Sequence, residues 1–236
     1  MKHILFKKDE RGIKDIGWLK SNFTFSFSSY YNPARNGFGL LKVFNDDFVE
    51  AGKGFGLHPH QNMEIISVML AGKMNHNDTM GYKEIVEKDW VQIMSAGSGL
   101  RHEEYNVGDE EVNFLQIWIE PKLQNINPRY QKRFFPKEKR KNQLTTIVSN
   151  EEGQHHCWIN QNAKLSLGWF EKDAVADYQL NPVNKGVYVF VMNGSVTVNG
   201  IELGKRDAAG IWEASAIRIH AKEESEYIVI EAPINH

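Results

Sequence analysis

Three phenylalanines share one face of an extended strand in Phe23-Thr24-Phe25-Ser26-Phe27, because strand side chains two residues apart point the same way. Short runs of this kind, rich in β-branched and aromatic residues, recur at 90–94, 114–119, 165–170, 187–192, 196–198 and 227–230. Asn193-Gly194 and Asn199-Gly200 close two of them, and Asn-Gly is a strong hairpin signal because both residues tolerate positive φ. Few windows of twelve residues hold a 3.6-residue period, so helices should be few and short. Many strands spaced by turn signals predict an all-β chain of sandwiches or barrels.

A length of 236 residues suits one large β domain or two small ones. Alternation fades over 121–143, where residues 129–141 hold seven basic residues against Glu138 alone. Strand patterns resume near Leu144. The expected organisation is a domain over 1–125, a basic linker over 126–143 and a second domain over 144–236. Tyr130, Phe134 and Phe135 beside those cations would suit a nucleic-acid or acidic-partner patch. The whole chain, however, carries 28 Lys and Arg against 30 Asp and Glu, so a solvated connector is the favoured reading. The longest apolar run, 187–192, is far too short to span a membrane. The first nine residues lack the apolar core of a signal peptide, and the single cysteine, Cys157, cannot form an internal disulfide. A cytoplasmic location is therefore expected.

Nine histidines against one cysteine mean that a metal site here is built from imidazole and carboxylate. Two glycine-rich segments carry the chemistry. The first runs Gly52-Lys53-Gly54-Phe55-Gly56-Leu57-His58-Pro59-His60, reaching Glu64 four residues later. The second is Ser95-Ala96-Gly97-Ser98-Gly99-Leu100-Arg101-His102-Glu103-Glu104. On strands, His58 projects with His60, and His102 with Glu104, while Glu103 faces the other way into solvent. If the two strands are neighbours in a barrel, three imidazoles and one carboxylate converge. Such a donor set suits iron, manganese, cobalt, nickel, copper or zinc. Four ligands in octahedral geometry leave two open positions for chemistry. Pro59 places the ligand strand at a rim.

The chain resembles the pirins, two-domain members of the cupin superfamily. The likeness rests on Asp9-Glu10-Arg11-Gly12, Gly17-Trp18-Leu19, the Phe23–Phe27 alternation, Asn45-Asp46-Asp47, both ligand segments and His76-Asn77-Asp78 with Gly81. It implies two cupin (double-stranded β-helix, jelly-roll) barrels arranged as a bicupin, with the metal confined to the N-terminal one. By position, the family's ligands fall on His58, His60, His102 and Glu104, and Fe(II) is the first expectation for the metal. Cupins of the more usual kind take their glutamate from the first segment, where Glu64 sits, whereas pirins use the later one. Glu64 is then expected to be an outer or structural carboxylate, orienting an imidazole.

Bacterial pirins of this type resemble quercetin 2,3-dioxygenases, which implies cleavage of a flavonol or related enol with dioxygen. Glu104 would take the substrate's 3-hydroxyl proton as general base. Phe55, Met63, Met69, Met94 and Phe38 are the expected apolar walls. The animal relatives imply an alternative, a redox-sensitive regulator that binds a protein partner, and a metabolite-binding cupin with a structural metal is a third. His76 with Asp78 reads either as a pair behind the ligands or as a turn hydrogen bond. His155-His156-Cys157 and His220 read as bystanders.

Overall fold

The computed structural model describes residues 1–234; Asn235 and His236, at the end of the expected second domain, lie outside the described residues. The all-β expectation holds. Among the described residues, twenty-two strands are joined with two short 3₁₀ helices, Lys8–Glu10 and Lys137–Arg140. No helix among the described residues is long and apolar enough to cross a membrane.

The strands form two seven-stranded and two four-stranded sheets. In the first half the large sheet runs Arg129–Phe134, Trp90–Ser95, Glu64–Ala71, Val112–Ile119, Leu41–Val49, Leu19–Phe23, Gly12–Asp15. Its small sheet runs Gly54–His60, Leu100–Tyr105, Lys73–Asp78, Lys83–Glu87. The second half repeats the scheme, with Val175–Gln179, Ala216–Ala221, Val196–Val198 and Ile201–Leu203 as its small sheet.

The two large sheets pack against each other. A single apolar cluster joins Phe44, Ile66, Val91 and Leu115 of one to Leu165, Tyr188, Phe190 and Ile228 of the other. This explains the six-residue apolar run. In Gly186–Asn193, Val187, Val189 and Val191 fill the second barrel's interior, while Tyr188, Phe190 and Met192 face the first barrel. A strand buried on both faces loses its alternation.

The two barrel interiors differ. In the second the apolar side chains form one cluster, with the buried Glu231 held at its edge by Tyr178, Asn181 and Asn184. In the first, apolar residues split into one group around Phe114 and Met69 and another around Met94 and Leu100. Between them the sequence places polar side chains. The first small sheet sets His58 opposite His102, whereas the second sets Ala176 opposite Ile219 and Tyr178 opposite Ile217.

The chain's two transitional stretches depart from expectation. Within 126–143, expected as a solvated linker, Arg129–Phe134 is an edge strand antiparallel to Trp90–Ser95. Lys2–Phe6, within the expected first domain, pairs with Ala208–Trp212 in the second half's large sheet. Charge pairing accounts for the order of the basic stretch. Lys132 meets Glu84 at 2.8 Å, Lys137 meets Glu226 at 2.7 Å, Arg140 meets Asp89 at 2.6 Å and Lys141 meets Glu171 at 2.7 Å. Arg129 lies over Trp158, and Arg133 donates to the His156 carbonyl. Six of the seven cations are thus engaged within the chain.

Candidate metal centre

Gly54–His60 and Leu100–Tyr105 are antiparallel neighbours, and His102 stands directly opposite His58. Gly54–His60 is the edge of its sheet, where Pro59 interrupts no inner ladder. The turn before the second strand needs glycine. Gly97 has φ 47°, and a Cβ there would collide with the Ile126 carbonyl, which accepts from the Ser98 amide at 2.8 Å.

The imidazoles of His58, His60 and His102 meet, with ring centroids 4.4–4.9 Å apart. One nitrogen of each lies within 4.8 Å of the others. The hydrogen bonds behind them decide which nitrogen is free. His58 Nδ1 lies 2.8 Å from the Gly56 carbonyl, which can only accept, so Nδ1 carries the proton and Nε2 the lone pair. For His102 the reasoning takes two steps. His76 Nε2 donates to Asp78 Oδ2 at 3.0 Å, leaving His76 Nδ1 as an acceptor. His102 Nδ1, 3.4 Å away, donates to it, which leaves His102 Nε2 with its lone pair, buried and without a partner. An orphaned buried nitrogen costs stability unless something binds it. A metal ion fits that requirement, and imidazoles held from behind in this way fit a metal ion.

Burial, with neighbouring His102 and His58, lowers the His60 pKa to about 4. Burial, with His58 and His76, lowers that of His102 to about 3. Both folded values lie below the ordinary 6.5, so the unfolded chain takes up protons first as pH falls. These two imidazoles are therefore expected to cost the metal-free protein stability progressively from pH 6.5 toward pH 3, while Asp47, whose carboxyl burial pushes up to about 7, offsets part of that loss. Denaturation midpoints across that range test this, and His102→Gln should flatten the loss. An unchanged slope would contradict it.

The carboxylates sort by parity. Glu104 is buried beside His102 and, with His76 and His102, forms a second trio of donors within 4.8 Å. His76 has both nitrogens committed, to Asp78 and to His102, so this trio competes poorly for an ion. A bulge separates His102 from Glu104. Glu64 shares strand parity with Ile66 and Val68, which face the other barrel, and not with Ser67, which faces the site. It accepts from Ser95 at 2.8 Å and from the Asn160 amide at 3.2 Å. The expected outer carboxylate is thus a clasp between halves and touches no imidazole. Glu103 is not free in solvent: Asn77 donates to it at 3.0 Å. Asp78 fills both expected roles, because its Oδ1 also accepts from the Met80 and Tyr82 amides.

A cavity of about 490 Å³ opens beside the histidines, lined by His58, His60 and Glu104. Of the expected walls only Phe55 lines it. Met69 and Met94 belong to the apolar clusters, Met63 packs beside one of them, and Phe38 packs between barrels on Tyr188 and Trp212. Trp18, Phe23, Phe27 and Trp118 take their place. Phe23 and Phe27 stood in the opening alternation, but the strand ends at Phe23 and Phe25 packs between the barrels instead of sharing their face. Trp18 stood in a motif of the resemblance and Trp118 in a strand-like run, neither marked as a wall. Asp47 also lines the cavity, and burial pushes its pKa up to about 7. Cys157 is buried, and its thiol is pushed up to about 12 by desolvation, so it is a packing residue.

The family described as Pirin matches residues 6–119, and that described as the quercetinase C-terminal cupin domain matches 146–232. A quercetin 2,3-dioxygenase of Escherichia coli (strain K12) is 41% identical over 230 residues, covering 97% of this chain and 98% of its own. This chain belongs to the pirin family. A pirin-like protein of Caulobacter vibrioides is 38% identical, with 95% of this chain and 97% of that one covered. The crystal structure of the bacterial pirin YhhW from Escherichia coli in complex with nickel(II) superposes with a TM-score of 0.93 at 39% identity. That match covers 99% of this chain and 100% of the other. The bicupin expectation therefore holds, as does the expectation of a pirin.

Proposed function

We propose that this chain is a metal-dependent dioxygenase that cleaves quercetin, or a related flavonol or enol, with O2. His58, His60, His102 and Glu104 would hold one divalent transition metal. The observation that carries this reading is the convergence of three imidazoles beside an aromatic-walled cavity that His58, His60 and Glu104 line. The relatives' name, quercetin 2,3-dioxygenase, supports it. Iron(II) is the first expectation, and manganese, cobalt, nickel, copper and zinc share the donor chemistry.

When bound, the metal supplies Lewis acidity toward an enol oxygen and a centre at which dioxygen can react. The chain does the rest. Trp18 with Phe55, and Phe27 with Trp118, form edge-to-face pairs with centroids 5.7 and 5.3 Å apart, flat walls for a planar aromatic substrate. The Trp118 ring also abuts His60 at 5.0 Å, tying wall to donor. Glu104 Oε1 accepts from Gln92; for Oε2 to take the enol proton, Glu104 would have to be a weakly held ligand or one able to shift. The regulator alternative leaned on the basic stretch, whose cations are mostly paired internally. The proposed compartment is the cytoplasm, on the strength of the lone buried thiol.

Protein loaded with each metal in turn should consume O2 in the presence of quercetin, and His60→Ala should lose that activity. Absence of turnover with every metal, each shown to be bound, would overturn the proposal.

A further inference from the structure

We propose that Tyr130 is a positioning residue for both donor arms of the centre: its ring supports His76 behind His102, and its hydroxyl orients the Gln92 amide that holds Glu104. The inference rests on the donor set proposed above. Tyr130 comes from Arg129–Phe134, the strand inside the expected linker, and lies outside the residues matched by the Pirin family. It is buried, and its register opposite Met94 turns it into the first barrel.

The first arm is a stack. The Tyr130 ring lies on His76 with centroids 4.3 Å apart and planes 22° from parallel. His76, fixed from its other side by Asp78, accepts from His102 Nδ1 and so keeps His102 Nε2 bare. The second arm is a chain of hydrogen bonds. The Tyr130 hydroxyl donates to Gln92 Oε1 at 2.8 Å. Gln92 Nε2 donates to Ser67 Oγ at 3.2 Å and to Glu104 Oε1 at 2.7 Å.

An amide has two different ends, and only its NH2 end can face an ionised carboxylate favourably. The phenol makes the choice: by donating to Oε1 it pins the oxygen away from Glu104. Burial and the Glu104 charge push the phenol's pKa up, so it stays a donor. Without the hydroxyl, Gln92 loses its orienting partner and Glu104 its fixed direction. Residues that orient metal ligands in this way are an ordinary part of a metal site.

Cobalt(II) is the probe, with affinity read by chelator competition and geometry by its visible absorption bands. Tyr130→Phe keeps the stack and removes the hydroxyl. It should lower cobalt affinity about tenfold and shift the bands, as outer-partner changes do. Gln92→Ala should give the same result by an independent route. The Tyr130→Phe penalty should vanish in a Glu104→Ala background, because the arm it acts through is gone. Tyr130→Ala should lose further affinity, in common with His76→Ala. Wild-type cobalt affinity and bands in Tyr130→Phe, or an equal penalty with and without Glu104, would make Tyr130 a packing residue only. A Glu104→Ala protein with wild-type affinity and bands removes the donor set itself, and the proposal with it; that result is separate from any seen in Tyr130→Phe.

Discussion

His102→Ala is expected to abolish stable metal binding. His102 is the one histidine common to both donor trios, and its buried Nε2 has no partner within the chain. Alanine removes that lone pair and leaves His76 Nδ1 without its donor. Altering an outer partner costs about 10–100-fold in metal affinity, so deleting a ligand should exceed the upper figure. Metal content after gel filtration, followed by competition titration, reads the loss. His155→Ala and His220→Ala should keep wild-type content, because neither residue belongs to a donor trio among the described residues. Full metal content in His102→Ala would sink the assignment.

The contrast between these histidines was visible in spacing, because strand side chains two apart share a face; the bulge between His102 and Glu104 was not visible there. His58 with His60, and His102 with Glu104, could be paired without coordinates. Parity also sets Glu64 apart from the proposed donors, but only once its strand's facing is known. The offset from His60 crosses a turn at Gln61 to Met63, and alternation cannot be counted through a turn. The Asp78–His76–His102 relay was half legible, since the partner His102 sits on a different strand. The wall role of Trp18 and Trp118 lay hidden for the same reason: cavity walls are assembled across sheets, and sequence spacing says nothing about that assembly.

Fold class followed from alternation and turn residues, yet the boundaries of the halves did not. Lys2–Phe6 and Arg129–Phe134 each complete the large sheet beside a strand far along the chain. Edge strands need only one covered face, and in Arg129–Phe134 that face is Tyr130 alone among the buried positions. A pattern so thin is swamped by Arg129, Lys132 and Arg133. Composition read those cations as solvated, whereas an aromatic face, an ion pair and a backbone carbonyl hold them.

Phe44→Ala is expected to cost about 3–5 kcal/mol of stability, the range for removing a buried aromatic ring. Phe44 is fully buried where the two large sheets meet, with ring centroids 5.0 Å from Tyr188 and 4.7 Å from Phe190. Alternation puts it on the outer face of the first barrel, away from the metal centre, so the vacancy opens between halves. For a chain of this size each kcal/mol lowers Tm by roughly 2–4 °C, which calorimetry resolves. Because Phe44 and Phe190 touch, Phe44→Ala and Phe190→Ala should couple by about 0.5–3 kcal/mol in a double-mutant cycle. One cooperative transition, shifted as a whole, is the expected trace, since a shared core ties the two barrels' unfolding together. Two transitions with only one displaced, or additive single effects, would mean that the barrels are stable apart. Metal affinity in Phe44→Ala should stay at the wild-type level, because the donors stand on the small sheet across the first barrel's interior.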